Sequence, residues 1–499
     1  MKVHFKIGVL LLLIANVVFA QGNFIKDSLD NYIQREMKNW RLPGMAIAIV
    51  KDGKVIFIKG YGYADKIKKT PVTENTVFQI ASCTKAFTGT SLALLEHYGK
   101  LSLEDKVKKY LPYFKMNEEC LTQQINIRDV LSHRIGFGTF QSDFINFNSS
   151  KSRRALIENM STITPKYGFR EAYGYCNMGF VCAGEIIPAV CDTSWDDYLK
   201  CHFFIPLEMK NTSSLQKDFF AATHASKAYS MIDTSIVEVE AMKLDNLGPA
   251  ASISSTVNDM SKWLLMQLAN GKYNNKQVLP TDVIANTRRS NIIVGDGEGN
   301  GNGNNFETYG LGWFLKDEGA KKVVLHAGGV NGFLSNTVLI PEENTGFVVL
   351  TNSDAQYFYE ALTKVLIRDI TKQSFVDYSK QYYSYFKDKT VREQKNIEEM
   401  RKKVAAYKPI ASEYKKLEGI YSNKQYGTLT VTAKDKYAEV NFEFHPGYKA
   451  KIRFITANSL MIEYQDATLG VQEIKCDEKT IEIKVNPSLD MDPYLFTKK

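Results

Sequence analysis

Phe78-Gln79-Ile80-Ala81-Ser82-Cys83-Thr84-Lys85-Ala86-Phe87 is the stretch on which the reading of this 499-residue chain turns. It opens a helical pattern that continues through Leu92, Leu94, Leu95 and Tyr98 and stops at Gly99. Ser82 and Lys85, three positions apart, therefore share a helix face. A serine hydroxyl is a weak nucleophile until a neighbour removes its proton, and a lysine does this once burial and the helix N-terminus have lowered its pKa. Alone, such a tetrad is common, and a serine at a helix start is ordinarily a cap. It acquires meaning only with partners.

Two partners follow in order. Tyr175-Cys176-Asn177 comes after the turn-rich Tyr173-Gly174 and before the apolar helix pattern Met178, Phe180, Val181, Ile186 and Ile187, which predicts a loop just ahead of a helix. His326-Ala327-Gly328-Gly329 ends the β-like run Val323-Val324-Leu325 and precedes a second apolar run, Phe333 to Ile340, which predicts a strand end opening onto a turn. In this order the three segments resemble the Ser-x-x-Lys, Tyr-x-Asn and Lys/His-x-Gly motifs of the serine β-lactamase-like superfamily, in its class C β-lactamase, D-aminopeptidase, DD-peptidase and esterase branch. Val130-Leu131-Ser132-His133, Pro206-Leu207-Glu208-Met209-Lys210-Asn211-Thr212, Tyr309-Gly310-Leu311-Gly312-Trp313 and Leu350-Thr351-Asn352-Ser353 resemble further landmarks, so the likeness spans residues from about 25 to about 370. Two departures, Arg134-Ile135 for the usual Thr-Ser and Ala250-Ala251-Ser252 for Ala-Gly-Gly, fall near the expected cleft wall and bear on substrate preference.

The resemblance implies an α+β, β-lactamase/transpeptidase-like fold: an antiparallel sheet flanked by helices, a helical subdomain, and an active site between them. It implies roles as well. Ser82 forms an acyl-enzyme, Lys85 and Tyr175 share the base role, and Asn177 orients Lys85 or the substrate amide. The backbone amides of Ser82 and Gly329, beside Gly328, hold the oxyanion. A phenol whose ordinary pKa is about 10 must fall to act as a base. His326 stands where β-lactamases usually carry lysine, which removes a fixed cation from the cleft. His133 is expected to brace the fold. Neither metal nor cofactor is implied.

Composition places the chain among globular proteins, with 44% hydrophobic and 24% charged residues. Its length calls for more than one domain. A net charge of +8 is mild, no Lys/Arg cluster interleaves with aromatics, and Arg401-Lys402-Lys403 reads as one helix face, so a nucleic-acid partner is not expected. The expected partner is a small-molecule or peptide substrate. Residues 1–20, with Lys2 and Lys6 ahead of an apolar run from Ile7 to Phe19, have the layout of a secretory signal peptide. The run is short for a bilayer span and contains Asn16. An exported, periplasmic or extracellular protein without a stable membrane anchor is the expectation. The seven cysteines are odd in number and lack zinc-ligand spacing. A disulfide among Cys182, Cys191 and Cys201 is conceivable, but buried free thiols are the favoured reading.

Residues 21–370 are expected to form the hydrolase domain. A first amphipathic helix carries Leu29, Tyr32, Ile33, Met37 and Trp40 with one acidic exception, Glu36. Met45 to Val50 and Val55 to Ile58 flank Asp52-Gly53, a hairpin signal. Ser102 with Asp105 is expected to begin a short helix closed by Pro112. Val323 to Leu325, Phe333 to Ile340 and Gly346 to Leu350 read as adjacent antiparallel strands, followed by a helix from Phe358 to Ile370. The patch from Gly295 to Asn304 reads as a flexible surface loop near the cleft. Residues 371–409 form a helical connector. In residues 410–499 apolar side chains alternate with polar ones from Leu429 to Val485, a period of two that marks strands with one buried face. This tail resembles the small lipocalin-like barrel appended to some members of the superfamily. It is expected to be an accessory or oligomerisation domain with no site of its own.

The leading functional expectation is a secreted serine hydrolase acting on an amide or ester. A class C β-lactamase or DD-peptidase is the nearest alternative, and a non-catalytic binding or sensor protein the second. An α/β-hydrolase is disfavoured by the absence of a Gly-x-Ser-x-Gly elbow.

Overall fold

The computed structural model of the chain describes residues 24–295, 305–484 and 492–499. The expected signal segment, all but the first residue of the glycine-rich patch, and Val485 lie outside the described residues. The larger, N-terminal part is built on a nine-stranded sheet whose strands are β1 (Gly44–Lys51), β2 (Lys54–Asp65), β3 (Thr70–Pro71), β4 (Ile292–Gly295), β5 (Glu307–Tyr309), β6 (Phe314–Glu318), β7 (Lys321–Val330), β8 (Phe333–Ile340) and β9 (Thr345–Thr351). Their order is β4-β5-β6-β7-β8-β9-β1-β2-β3. The first hairpin closes the sheet in the middle, with Ile47 opposite Val349 of β9 and Lys59 of β2. Asp52 and Gly53 turn that hairpin with φ of 49° and 76°, the left-handed pair that a tight two-residue loop requires.

Why β1 is apolar without interruption follows from what covers it. Met45, Ile47 and Ile49 face one core with α1 (Leu29–Asn39) and α5 (Phe358–Ile370), whereas Ala46, Ala48 and Val50 face a second core that contains Trp263 and Leu264 of α4 (Val257–Leu268). A strand buried on both faces has no polar side. The helix that carries Lys85, α2 (Thr84–His97), is buried from Thr84 to Leu95 and packs near α3 (Asn177–Val190) within the helical body. Glu36, the acidic exception on α1, is buried because it accepts hydrogen bonds from Ser379 Oγ at 2.6 Å and from Asn39 at 3.3 Å.

Two local expectations are corrected. The strand containing His326 does not end there; β7 continues to Val330 and turns at Asn331-Gly332, where Gly332 has φ of 77°. Gly328 is an in-strand glycine of close approach: a Cβ on it would lie 2.3 Å from the Ile80 carbonyl oxygen and 2.9 Å from the Ser82 nitrogen. Ser102 and Asp105 form a closed turn, Ser102 N donating to Asp105 Oδ2 at 3.0 Å, and the helix is confined to Val107–Tyr110.

Beyond the nine-stranded sheet and its helices, α6 (Tyr378–Ala406) is a 29-residue helix, about 44 Å long. Trp40 meets Tyr383 edge-on near its start, and Arg401 pairs with Glu463 near its end. Eight strands from Gly419–Asn423 to Tyr494–Lys498 then form a closed antiparallel barrel, sealed by Tyr421 opposite Lys498. Leu429, Val431, Val440, Phe442, Ile452 and Ile462 form its core together with one residue of the N-terminal part, Ile145.

Candidate active site

Ser82 sits in a 3₁₀ turn, Ala81–Cys83, that runs directly into α2. Ala81 before it is held at φ of 46°, a left-handed conformation that costs an alanine on the order of 1–3 kcal/mol and persists only where its surroundings enforce it. Here β7 at Gly328 presses against the turn. Lys85, one turn along, is 0% exposed. Its Nζ lies 3.0 Å from Ser82 Oγ, 2.7 Å from Asn177 Oδ1 and 2.9 Å from the Ala250 carbonyl. Two of these three neighbours are pure acceptors. A neutral amine satisfies them with its two N–H bonds and turns its lone pair to the serine hydroxyl.

Burial favours that neutral form. It lowers the Lys85 pKa to about 7, against the opposing pull of the Asp143 charge. Asp143 is itself fully buried, and desolvation raises it to about 6 while its hydrogen bonds with Asn177 restrain the rise. Asn177 N and Nδ2 both donate to Asp143 Oδ2, at 2.8 Å and 3.0 Å. This clamp fixes the amide so that Oδ1 faces Lys85. Asp143 was invisible in the sequence because no motif contains it.

Tyr175 occupies the loop residue just ahead of α3, hydrogen-bonded to Ser82, with its ring centroid 4.7 Å from Lys85 Nζ. Burial pushes its phenol well above the ordinary value. The fall in pKa that a base role would need is opposed by this burial, and the group whose pKa moves toward neutrality is Lys85. His133 stacks on Tyr175 with centroids 4.4 Å apart and accepts a hydrogen bond from Cys176 N at 3.0 Å. Burial holds it neutral, its pKa well below the ordinary value.

His326 differs most from expectation. Its Nδ1 is 2.6 Å from the Ala327 carbonyl and its Nε2 3.0 Å from the Tyr309 hydroxyl. A carbonyl only accepts, so Nδ1 carries the proton and Nε2 accepts from Tyr309. Burial lowers its pKa to about 3, and the ring is 1% exposed. Both nitrogens are engaged, and neither is left to donate to a substrate carboxylate. Gly329 is exposed at the cavity, where β7 has lost its β6 neighbour: Phe314, the first residue of β6, pairs with Leu325.

One cavity of about 680 Å³ collects Ser82, Tyr175, Asn177, His326, Gly328 and Gly329, with Lys85 behind the serine. Its remaining lining is largely aromatic, including Phe140, Phe144, Phe147 and Phe314. The barrel contributes Tyr448, Thr468 and Leu469 to the same cavity. Neither departure segment lines the cavity. Ile135 is buried, Arg134 pairs with Asp129, and Ala250 meets Lys85 from behind through its carbonyl. All seven cysteines are unpaired.

A buried lysine against a serine at the head of a helix, beside a central antiparallel sheet, defines the β-lactamase/transpeptidase-like class. The chain belongs to the Beta-lactamase family, whose model matches residues 29–372. It is similar to Protein flp of Staphylococcus aureus (strain MW2), 29% identical over 342 residues, which are 67% of this chain and 64% of that protein. It is also similar to the unguisins hydrolase ungD' of Aspergillus campestris, 26% identical over 351 residues, 67% of this chain and 63% of that protein. The chain thus spans less than two thirds of the length of these relatives. Among solved structures, the octameric penicillin-binding protein homologue from Pyrococcus abyssi superposes with a TM-score of 0.61 at 20% identity, covering 94% of this chain and 99% of that one. The shared fold therefore extends through the barrel. Among the described residues no helix is long and apolar enough to cross a membrane.

Proposed function

We propose that this protein is a secreted serine hydrolase that cleaves an amide or ester, in a peptide or aminoacyl substrate, through an acyl-enzyme on Ser82. The observation that carries the reading is the contact between Ser82 Oγ and a fully buried Lys85 whose pKa has fallen to about 7. Neutral Lys85 takes the hydroxyl proton as Oγ attacks the scissile carbonyl. Tyr175, still protonated, steadies the developing charge on Oγ. The amides of Ser82 and Gly329 receive the oxyanion, and such preorganised donors contribute roughly 3 kcal/mol each to the barrier reduction. Collapse breaks the bond to the leaving group, which departs with the proton held by Lys85. Water then repeats the sequence on the acyl-enzyme. The hydrolase activity in the name of the Aspergillus relative supports the reaction class, and the charged and apolar layout of residues 1–20 supports export.

A β-lactamase reading is weakened by His326, which is neutral, buried and doubly bonded, and so offers no cation to a β-lactam carboxylate. Intact-protein mass spectrometry after incubation with a fluorophosphonate, a penicillin and a set of D- and L-aminoacyl esters tests the proposal. The expected result is a single adduct that maps to Ser82, with kcat/KM for neutral esters above that for a chromogenic cephalosporin. A cephalosporin hydrolysed better than every ester and amide would install the β-lactamase reading instead. Absence of any Ser82 adduct would favour a binding protein.

A further inference from the structure

The cavity that opens at Ser82 does not end within the hydrolase half. Its far wall is made by Tyr448, Thr468 and Leu469, residues of a domain that begins more than 300 positions after the nucleophile. The wall is held in place. Asn331 Nδ2 donates to Thr468 Oγ1 at 2.9 Å, Asn148 Nδ2 donates to the Tyr448 hydroxyl at 3.2 Å, and Asp466 Oδ1 accepts from Thr468 N at 3.0 Å. The rest of the lining is mainly aromatic and aliphatic, with Thr139, Asn177 and Asn331 as uncharged polar members, and Asp354 is the one formally charged side chain among the described lining residues. Asp354 is not free, since its Oδ2 accepts from Gly332 N at 2.8 Å.

Resting on the acyl-enzyme reading, we propose that the barrel closes an acyl-binding pocket for a large, uncharged, apolar acyl group, and that Leu469 sets the length the pocket accepts. Three observations converge on this. A volume of about 680 Å³ falls in the range that encloses most of a drug-sized ligand and far exceeds what a short acyl group fills. An anionic tail would have no cationic partner and would meet Asp354, a repulsion strengthened by the apolar surroundings. The acyl group is also the part that stays on Ser82 after the leaving group has gone, so a mainly apolar cavity that runs from the serine to the barrel serves that part of the substrate.

The test holds the leaving group constant and varies the acyl group. kcat/KM is measured with the p-nitrophenyl esters of acetate, hexanoate and octanoate, and with an ester of hexanoate length that ends in a carboxylate. Each methylene buried against apolar walls contributes about fourfold, so a rise of at least about thirtyfold from acetate to the best neutral ester is expected. The carboxylate-ended ester should fall at least about tenfold below its neutral counterpart, the discrimination expected when a charge must be buried unpaired. Leu469→Trp should move the optimum to shorter chains and Leu469→Ala to longer ones. Two opposed variants guard against a fold that one of them fails to keep. Ser82 labelling by a small fluorophosphonate, followed in parallel, reports on the acyl-enzyme reading alone. Labelling without any dependence on acyl length, a preference for the carboxylate-ended ester, or a profile unmoved by both Leu469 variants would overturn the pocket while leaving the hydrolase reading intact. No adduct at Ser82 would overturn both.

Discussion

Lys85 lies behind Ser82 and Leu469 lines the cavity onto which Ser82 opens, yet the chain specifies them in different ways. Lys85 belongs to a local motif: its position relative to Ser82 is fixed by one turn of helix, and its neighbours Asn177 and Ala250 are close-packed around it. Leu469 belongs to a 3₁₀ turn of a separately cored barrel, and it reaches the cavity only because the two halves dock. Chemistry is encoded by spacing along the chain, whereas the shape of the pocket is encoded by the fit between domains.

The segment that joins the two poles runs from Ser142 to Ser150. Asp143 holds Asn177, Phe144 and Phe147 line the cavity, and Ile145 inserts into the barrel core. Ser142 Oγ donates to Gln425 Oε1 at 2.7 Å, and Ser150 N donates to the Phe444 carbonyl at 2.8 Å. One short stretch therefore ties the lysine network to the domain that walls the pocket.

The contrast is tested most severely at the nucleophile. Ser82→Ala should lower kcat by at least about 10⁴-fold and abolish covalent labelling, with the melting temperature unchanged because a half-buried hydroxyl contributes little to stability. Undiminished turnover would remove the chemical pole from Ser82 altogether.

Lys85→Met and Tyr175→Phe come next. Loss of the base should cost about 10³-fold or more, and loss of the phenol about 10²-fold, in the range usual for groups that assist proton transfer. Because both act on the one Ser82 oxygen, the double variant should be little worse than Lys85→Met alone; fully additive losses in steady-state kinetics would show two independent devices. A protonated amine has no lone pair, so kcat/KM of the wild type should rise with pH and level off above about 7, where Lys85 is neutral. His326, neutral at every pH above about 3, should contribute no limb to that profile.

Ile145→Ala probes the joint between the poles. Deleting a fully buried isoleucine costs about 2–5 kcal/mol, and it should appear as a lower urea midpoint together with a fall in kcat/KM of about tenfold as the cavity loses its aromatic lining. A variant that loses stability with no change in kcat/KM would mean that the barrel and the lysine network are uncoupled.

The smallest effect sharpens the electrostatics. The Asp143 charge pulls the Lys85 pKa upward against burial, so Asp143→Asn should move the acid limb of kcat/KM to lower pH, by about one unit or less. A shift to higher pH, measured with a neutral ester across the same range, would contradict the assignment of Lys85 as the group that titrates.

Much of this arrangement was legible in the sequence. The apolar run at Met45 to Val50, the hairpin at Asp52-Gly53 and the alternation from Leu429 onward are local patterns, and each formed the element its period predicts. Ser82, Lys85, Tyr175 and Asn177 were legible because a motif places each beside a helix start. His326 was misread as a strand end because Gly328 and Gly329 suggest a turn, whereas Gly328 serves the close passage of β7 against the Ser82 turn. Asp143 stood out from its neighbours in no pattern; its role appears only where its oxygen meets two nitrogens of Asn177.

By itself, then, the sequence determined which elements form, in what order, and which serine and lysine share a helix face, since these depend on residues within a few positions of one another. Only the tertiary structure decided the lowering of the Lys85 pKa by burial, the sequestration of His326 by Tyr309, and the presence of Leu469 in the cavity lining. A pKa depends on what burial removes from water, and a pocket wall depends on which surfaces meet. Asn148 and Tyr448 are 300 residues apart along the chain, and no local spacing encodes their hydrogen bond.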